Sequence, residues 1–389
     1  FLLVFLFFYS VLANAQQITA GGYFSTALKS NGLIYNWGSG IYGQLGNGKD
    51  TSINIPQPVI QTGVLKGKKI IQVSSGRYHT LSLADDGALF AWGQNASGQL
   101  GNGNDTNSNI PIAVIMDVAL KGKKVVQVSA GNDYSLALAD DGTLFSWGWN
   151  NYGQLGNGNN TESNIPVAVQ IDGALKGKKI TQIAAGYNHT LALADDGTLF
   201  AWGRNEYGQL GNGNNNKSNI PMAVIMDGAL KGKKITLIAA GGMHSLALAD
   251  DGSLYAWGYN IYGQLGNEGS ADSRVPVAVN MEGTLKGKKI TKIAAGGYHS
   301  LALADDGTLF AWGFNGWGAL GNGNNTNINI PVAVIMDGAL KGKKITQITA
   351  GAAYSLALAD DGTLFAWGYN YYGQLGNEGN ADSNVPVPV

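Results

Sequence analysis

Cysteine is absent from the 389 residues, which excludes disulfide cross-links and thiolate zinc sites. A surplus of either charge is also lacking. The chain carries 25 basic and 26 acidic residues, a formal net charge of −1, and so has no basic stripe to hold a nucleic-acid backbone. No stretch places apolar residues at helical spacing, which argues against helical layers or bundles. No catalytic triad, phosphate-binding loop or metal-ligand motif occurs. No cofactor, metal or nucleic acid is therefore expected.

Long apolar runs are confined to the N-terminus. Phe1 to Ala13 (FLLVFLFFYSVLA) precedes Ala13-Asn14-Ala15, and a short apolar core before a small-x-small site reads as a secretory signal peptide over residues 1–15. It is too short to favour a transmembrane helix. The mature chain, 16–389, is expected to begin near Gln16 and to hold no membrane span. The run lacks a starting Met and a basic segment before it, so the natural chain is expected to extend further at this end.

What the chain has in abundance is repetition. A Trp-Gly pair recurs every 55 residues, at Trp37, Trp92, Trp147, Trp202, Trp257, Trp312 and Trp367. A fixed period of this kind marks units that must stack to bury their apolar faces. The 58 glycines fall at fixed places in the period and read as turn chemistry. In the unit from Ile290 to Lys344, Ile290–Gly296 is β-rich and Tyr298–Ala304 alternates leucine with alanine. Period-two alternation of large and small residues suits a strand covered on both sides. Asp305-Asp306-Gly307 is a tight-hairpin signal, Thr308–Gly313 a third strand, and Ile330-Pro331-Val332-Ala333-Val334 an edge strand tolerating proline. Four antiparallel strands in each of seven units give an all-β, seven-bladed β-propeller. An open solenoid is the alternative, and tight Asp-Gly hairpins fit it poorly.

The unit pattern G-x-x-H-[ST]-L-A-L-x-x-D-G-x-L-[FY]-x-W-G, followed by G-Q-L-G-N-G and then I-P, closely resembles the repeat of the regulator-of-chromosome-condensation family. The match covers about residues 18–389, with one departure at Gly318-Ala319-Leu320-Gly321. The resemblance implies a seven-bladed propeller. The family's best-known activity, nucleotide exchange on a small nuclear GTPase, is not carried over to this chain, because a signal peptide removes it from that compartment and the uniform period leaves no room for the inserted wedge such exchangers use. Light-sensing members carry Gly-Trp-Arg-His-Thr, and Gly76-Arg77-Tyr78-His79-Thr80 and Gly186-Tyr187-Asn188-His189-Thr190 lack its tryptophan. With the signal peptide, the chain looks like a secreted or surface-exposed bacterial member that binds another protein.

Differences between units locate the candidate site. The slot after Trp-Gly holds Ser39, Gln94, Trp149, Arg204, Tyr259, Phe314 and Tyr369. Two residues later come Ile41, Ala96, Asn151, Glu206, Ile261, Gly316 and Tyr371, followed by a mostly aromatic slot that includes Tyr42 and Trp317. A second variable pair follows the first-strand glycine and includes Arg77, Tyr78 and Tyr187. Strand direction puts both loops on one face of the disc and the uniform Asp-Asp-Gly turns and Lys-Gly-Lys-Lys connectors on the other. Tyr, Trp and Arg are the residue types enriched at binding hot spots. Arg77, Tyr78, Trp149, Tyr187, Arg204, Tyr259, Phe314, Trp317, Tyr369 and Tyr371 are therefore the expected binding residues for a protein or glycan partner. The bland alternative is loop drift, with ring-to-ring packing between loops at the Tyr42 slot.

The four histidines, His79, His189, His244 and His299, share one slot with Phe24, Tyr134 and Tyr354. That slot wants a flat ring, so a structural role is expected, as it is for the seven repeat tryptophans. An enzyme would need one unlike polar cluster, and no unit supplies it. The expectation is a monomeric, non-catalytic binding platform. The alternative is a spacer module of a larger surface protein whose functional region follows Val389.

Overall fold

The computed structural model describes Leu12 and residues 15–389. The signal-peptide expectation falls outside the described residues, apart from Leu12 and Ala15. Ala15 opens the first strand and pairs with Lys29, so a mature chain starting at Gln16 would shorten that strand by one residue.

Twenty-eight strands form seven four-stranded antiparallel sheets, each built from four consecutive strands. Blade 1 comprises Ala15–Ala20, Phe24–Lys29, Ile34–Gly38 and Ile53–Pro58, and blade 7 comprises Ile345–Ala350, Tyr354–Ala359, Leu364–Gly368 and Ser383–Pro388. First strands of successive blades run side by side around the axis, and blade 7 meets blade 1 in the same way. This is the expected propeller. One 3-10 turn, Gly63–Leu65, is the only helical element among the described residues.

The leucine–alanine alternation explains the stacking. Leu81, Leu83 and Leu89 of blade 2 pack with Ala137, Ala139, Phe145 and Trp147 of blade 3, so large residues nest on the small face of the next blade. Second and third strands are buried along their whole length in nearly every blade. The outer strand starts earlier than the sequence suggests, at Ile328 rather than Ile330. Pro331 has no N–H to give the ladder, and the pairing jumps from Ala311↔Val332 to Gly313↔Ile328.

Each repeat tryptophan is at most 1% exposed and bonds the previous blade. Its Nε1 donates to the carbonyl of residue 44, 99, 154, 209, 264, 319 or 374 at 2.9–3.0 Å. The Ala319 departure leaves this bond intact, because it uses the backbone oxygen, but Ala319 lacks the side-chain oxygen that accepts from the backbone N–H two residues earlier in the other six blades.

The face carrying the Asp-Asp-Gly turns is knitted within six of the seven units, the first having Ser30-Asn31-Gly32 in place of the turn. Lys68–Asp86, Lys123–Asp141, Lys178–Asp196, Lys288–Asp306 and Lys343–Asp361 pair at 2.5 Å, and Lys233 pairs with Asp251. The other carboxylate oxygen of Asp141 accepts from Thr143 N at 2.9 Å. These pairs are solvent-accessible, so Lys123→Ala is expected to cost less than about 1 kcal/mol, with the cost vanishing at high salt. Thermal melts at two ionic strengths would show it.

Candidate functional site

On the opposite face, the two variable loops of each blade are tied to each other. Trp149 N donates to Asp133 O at 2.8 Å, Arg204 N to Asn188 O at 2.8 Å, Tyr259 N to Met243 O at 3.0 Å and Phe314 N to Tyr298 O at 2.9 Å. The residue after Trp-Gly therefore always stands beside the residue preceding the ring slot.

Beneath them a buried asparagine holds the long loop. Asn205 Nδ2 donates to Asn212 Oδ1 (3.1 Å), Asn214 O (2.9 Å) and Asn216 O (3.0 Å), while its Oδ1 accepts from Leu210 N at 2.9 Å. Asn95, Asn150, Asn260, Asn315 and Asn370 occupy the same place. Asn205→Ala strips these loop groups of their partner, and a loss on the order of 3 kcal/mol is expected from a chemical denaturation curve.

The side chains above form an arc of rings. It runs Tyr207–Tyr259 (centroids 4.6 Å apart), Tyr262–Phe314 (5.0 Å), Phe314–Trp317 (5.1 Å), Trp317–Tyr369 (5.1 Å), Tyr23–Tyr372 (5.5 Å) and Tyr42–Tyr78 (4.9 Å), with Tyr23 stacked on Tyr78 at 5.7 Å. Arg204 extends it, its guanidinium 5.0 Å from the Tyr152 ring centre, and Trp149 packs on Tyr152 at 5.4 Å. Edge-to-face pairs of this kind are favourable beyond the area they bury. The arc is broken between blades 2 and 3. There Gln94 and Ser97 replace the aromatics, and Asp133, its carboxyl raised by burial against the opposing pull of Arg77, fills the gap.

Inside the arc the channel mouth is a bowl of ≈ 400 Å³. Of the ten expected binding residues, Arg77, Tyr187, Arg204, Trp317 and Tyr369 line it. Tyr78, Trp149, Tyr259, Phe314 and Tyr371 stand on the surrounding rim. Tyr187 crosses the mouth: a Cβ on Gly242 would lie 2.9 Å from its Cε2, and one on Gly297 2.4 Å from its hydroxyl. Glycine in blades 5 and 6 makes room for it. Below runs a ring of backbone hydrogen bonds: Gly22 N to Gly76 O, Arg77 N to Gly131 O, Asn132 N to Tyr187 O, Tyr187 N to Gly241 O, Gly242 N to Gly296 O, Gly297 N to Gly351 O and Ala352 N to Gly22 O, at 3.0–3.4 Å.

Sequence reasoning left Tyr23, Tyr298, Met243, Asn132 and Asn188 out of the expected site, although all five line the bowl. Each follows a first-strand glycine, and that position alone could have marked them. The histidines lie elsewhere, fully buried between blades. Among the described residues no group of three or more His, Asp or Glu is placed to hold a metal.

Fold and face together define a ring of seven like blades with one uniform, ion-paired surface and one diverse aromatic surface. Residues 117–389 match the family model described as RCC1-like domain, and residues 31–83 and 86–138 match the regulator of chromosome condensation (RCC1) repeat. The chain belongs to the RCC1 family. It is 35% identical over 370 residues to the ultraviolet-B receptor UVR8 of Arabidopsis thaliana, covering 95% of this chain and 80% of the receptor. It is 35% identical over 347 residues to the E3 ubiquitin-protein ligase HERC2 of Homo sapiens, covering 88% of this chain but 7% of the ligase. Among solved structures it is similar to yeast RCC1 (Prp20) bound to Kap60, with TM-score 0.79, 25% identity, and coverage of 95% of this chain and 85% of that one. These relatives are plant, human and yeast proteins, and they lend no support to the bacterial attribution.

Proposed function

We propose that the protein is a non-catalytic recognition platform whose variable face docks a protein partner. One observation carries this reading. Ile41 (47% exposed), Ile261 (58%), Trp317 (43%) and Tyr371 (66%) hold large apolar side chains in solvent on that face, including both strongly exposed aromatics among the described residues, whereas the opposite face exposes only the aliphatic Val64, Val118 and Ile171 of its connectors. Exposed apolar groups beside Arg and Tyr are what interface centres are made of. The relatives agree in kind, since Prp20 is seen with Kap60 bound and UVR8 is named a receptor. Reception of ultraviolet light is not part of the reading, because Tyr187 stands where the light-sensing motif has tryptophan. A secreted or surface location is proposed from Phe1–Ala15 alone.

The test compares the parent with a rim variant, Ile41→Ala/Ile261→Ala/Tyr371→Ala, as baits on surface and medium extracts, at matched melting temperature. Capture of one identified protein by the parent, lost in the variant, supports the reading. Equal or absent capture favours a spacer module instead.

A further inference from the structure

We infer that Asn104, Asn159, Asn216 and Asn324 are attachment sites for N-linked oligosaccharide, an inference that rests on the secreted location proposed above. Asn-x-Ser/Thr, with x not proline, is the acceptor triplet for this modification, and in a secreted protein it marks a surface loop. The chain carries six such triplets, and the fold divides them. Asn95 is fully buried, its amide nitrogen clamped on Asn102 Oδ1, Asn104 O and Thr106 O. Asn188 is 8% exposed. Neither has room for a sugar. The other four asparagines are exposed in the long loops of blades 2, 3, 4 and 6. Three triplets, Asn104-Asp105-Thr106, Asn159-Asn160-Thr161 and Asn324-Asn325-Thr326, hold one repeat position and share one turn. In each the side-chain oxygen accepts from the threonine N–H, at 2.9, 2.8 and 2.9 Å. The amide nitrogen, the atom that carries the sugar, donates to no described residue in any of the four.

Placement of the four sites matches a division of the rim. The rim slot that holds Ile41, Ile261 and Tyr371 in blades 1, 5 and 7 holds Ala96, Asn151, Glu206 and Gly316 in blades 2, 3, 4 and 6. Every blade with an exposed triplet is small or polar at that slot, and every blade without one exposes a large apolar side chain there. In blades 5 and 7 the triplet's asparagine position is taken by Gly269 and Gly379, and in blade 1 by Lys49. Loop and slot are neighbours in space. Asn160 Nδ2 donates to Asn151 O at 3.1 Å, and in blade 7 Asn380 Nδ2 donates to Tyr371 O at 2.9 Å. A hydrated oligosaccharide tethered to the loop covers the slot beside it, so apolar contact is kept where no sugar stands. Trp317 is exposed in blade 6, but its ring packs toward blade 7, 5.1 Å from Tyr369. The transfer takes its sugar from a lipid-linked pyrophosphoryl oligosaccharide. The carboxamide nitrogen bonds the anomeric carbon, the bond from that carbon to the pyrophosphate oxygen breaks, the pyrophosphate leaves on its lipid, and the nitrogen gives up one proton.

The experiment expresses the 389-residue chain, preceded by Met, in a secreting eukaryotic cell line. Protein from the medium is treated with peptide N-glycosidase, which converts each sugar-bearing Asn to Asp. Mass spectrometry of its peptides is expected to find the conversion at positions 104, 159, 216 and 324 and not at 95 or 188. Thr106→Ala, Thr161→Ala and Thr326→Ala keep the asparagine and remove the hydroxyl. Each should lose one sugar-dependent step of gel mobility at the parent's melting temperature, since all three threonines are exposed. Asn216→Gln serves for the fourth site, because the Ser218 hydroxyl also bonds Ile220 O at 2.7 Å. Protein that reaches the medium with two or more of the four asparagines unmodified overturns the inference and leaves the secreted location standing. Sugar on Asn95 or Asn188 overturns it as well, because the fold gives those two no room. Protein retained in the cell and unmodified overturns both the inference and the location.

Discussion

Acid is expected to unfold this propeller well above the range in which its carboxylates titrate, with stability falling by on the order of 5 kcal/mol per pH unit between about pH 6 and pH 4. The cause is the four ring-slot histidines. His79 Nε2 lies 3.0 Å from Ser135 Oγ in the next blade, His189 3.0 Å from Ser245, His244 2.9 Å from Ser300 and His299 2.9 Å from Ser355. Each serine already gives its own proton to a loop carbonyl, Ser135 to Gln99 O at 2.8 Å for example. The serine must therefore accept, which assigns the proton to Nε2 in each histidine. Nδ1 is then a bare nitrogen, buried without a partner. Protonating it would place a charge and a donor where nothing accepts either. Burial accordingly lowers the pKa from 6.5 to about 3 for His79, His189 and His244 and to about 4 for His299. A depressed histidine pKa means the unfolded chain takes up protons first, so stability is whole above about pH 6.5 and drains as pH falls toward the folded values. The ion-paired aspartates act separately and lower. Their pKa falls from 3.8 to about 2 in Asp196, chiefly through Lys178, so their share is lost only below about pH 4. Denaturation midpoints measured across pH, in the parent and in a variant with all four histidines changed to Phe, give the check. Phenylalanine fills this slot in blade 1 as Phe24, and the variant should show a flattened acid limb above pH 4. An unchanged limb would sink the histidine account.

Gly156→Ala is expected to cost about 4 kcal/mol, enough to threaten folding outright. Gly156 sits at φ +65°, and an added Cβ would lie 2.6 Å from Trp202 Nε1, the atom that bonds Gln154 O across the blade junction at 2.9 Å. The substitution strains the backbone and pushes the tryptophan off its carbonyl. Gly177→Ala separates the two effects: its φ is +73°, but nothing lies within 4 Å of the added atom, so about 1–2 kcal/mol of backbone strain alone is expected. If the two variants melt alike, the tryptophan contact is not what makes this glycine necessary.

The Trp-Gly period, the Asp-Gly turns and the leucine–alanine faces carried the fold openly, because each is a local pattern repeated until chance is excluded. The tryptophan's partner was less legible. The Gln154 carbonyl that Trp202 binds belongs to the preceding unit, and a backbone oxygen leaves no mark in residue identity. The asparagine clamp was hidden for a different reason. Asn205 sits in a loop crowded with asparagine, so composition could not single out the one turned inward. Of the candidate site, the diverse face and its aromatic bias could be read, since strand direction alone puts the two loops together. The division into bowl and rim could not be read, because it depends on how far Tyr187 reaches across three blades. The Tyr42 slot shows the cost of that limit. Its rings do pack from loop to loop, so near-constant aromatic identity there answers to the neighbouring blade as much as to any partner.

Blade 7 joins blade 1 without sharing a sheet. Tyr354 OH bonds Phe24 O and Trp37 Nε1 bonds Gln374 O, the same contacts found at other junctions. A linear array of repeats has two ends from which it can peel, one unit at a time. A loop of like junctions has periodic boundaries instead: no unit is terminal, and releasing any one blade breaks two junctions at once. The first opening is therefore the costly event, since it breaks two junctions and each later release breaks only one. The molecule should accordingly melt as a single cooperative body, with hydrogen exchange in all seven inner strands governed by the same opening.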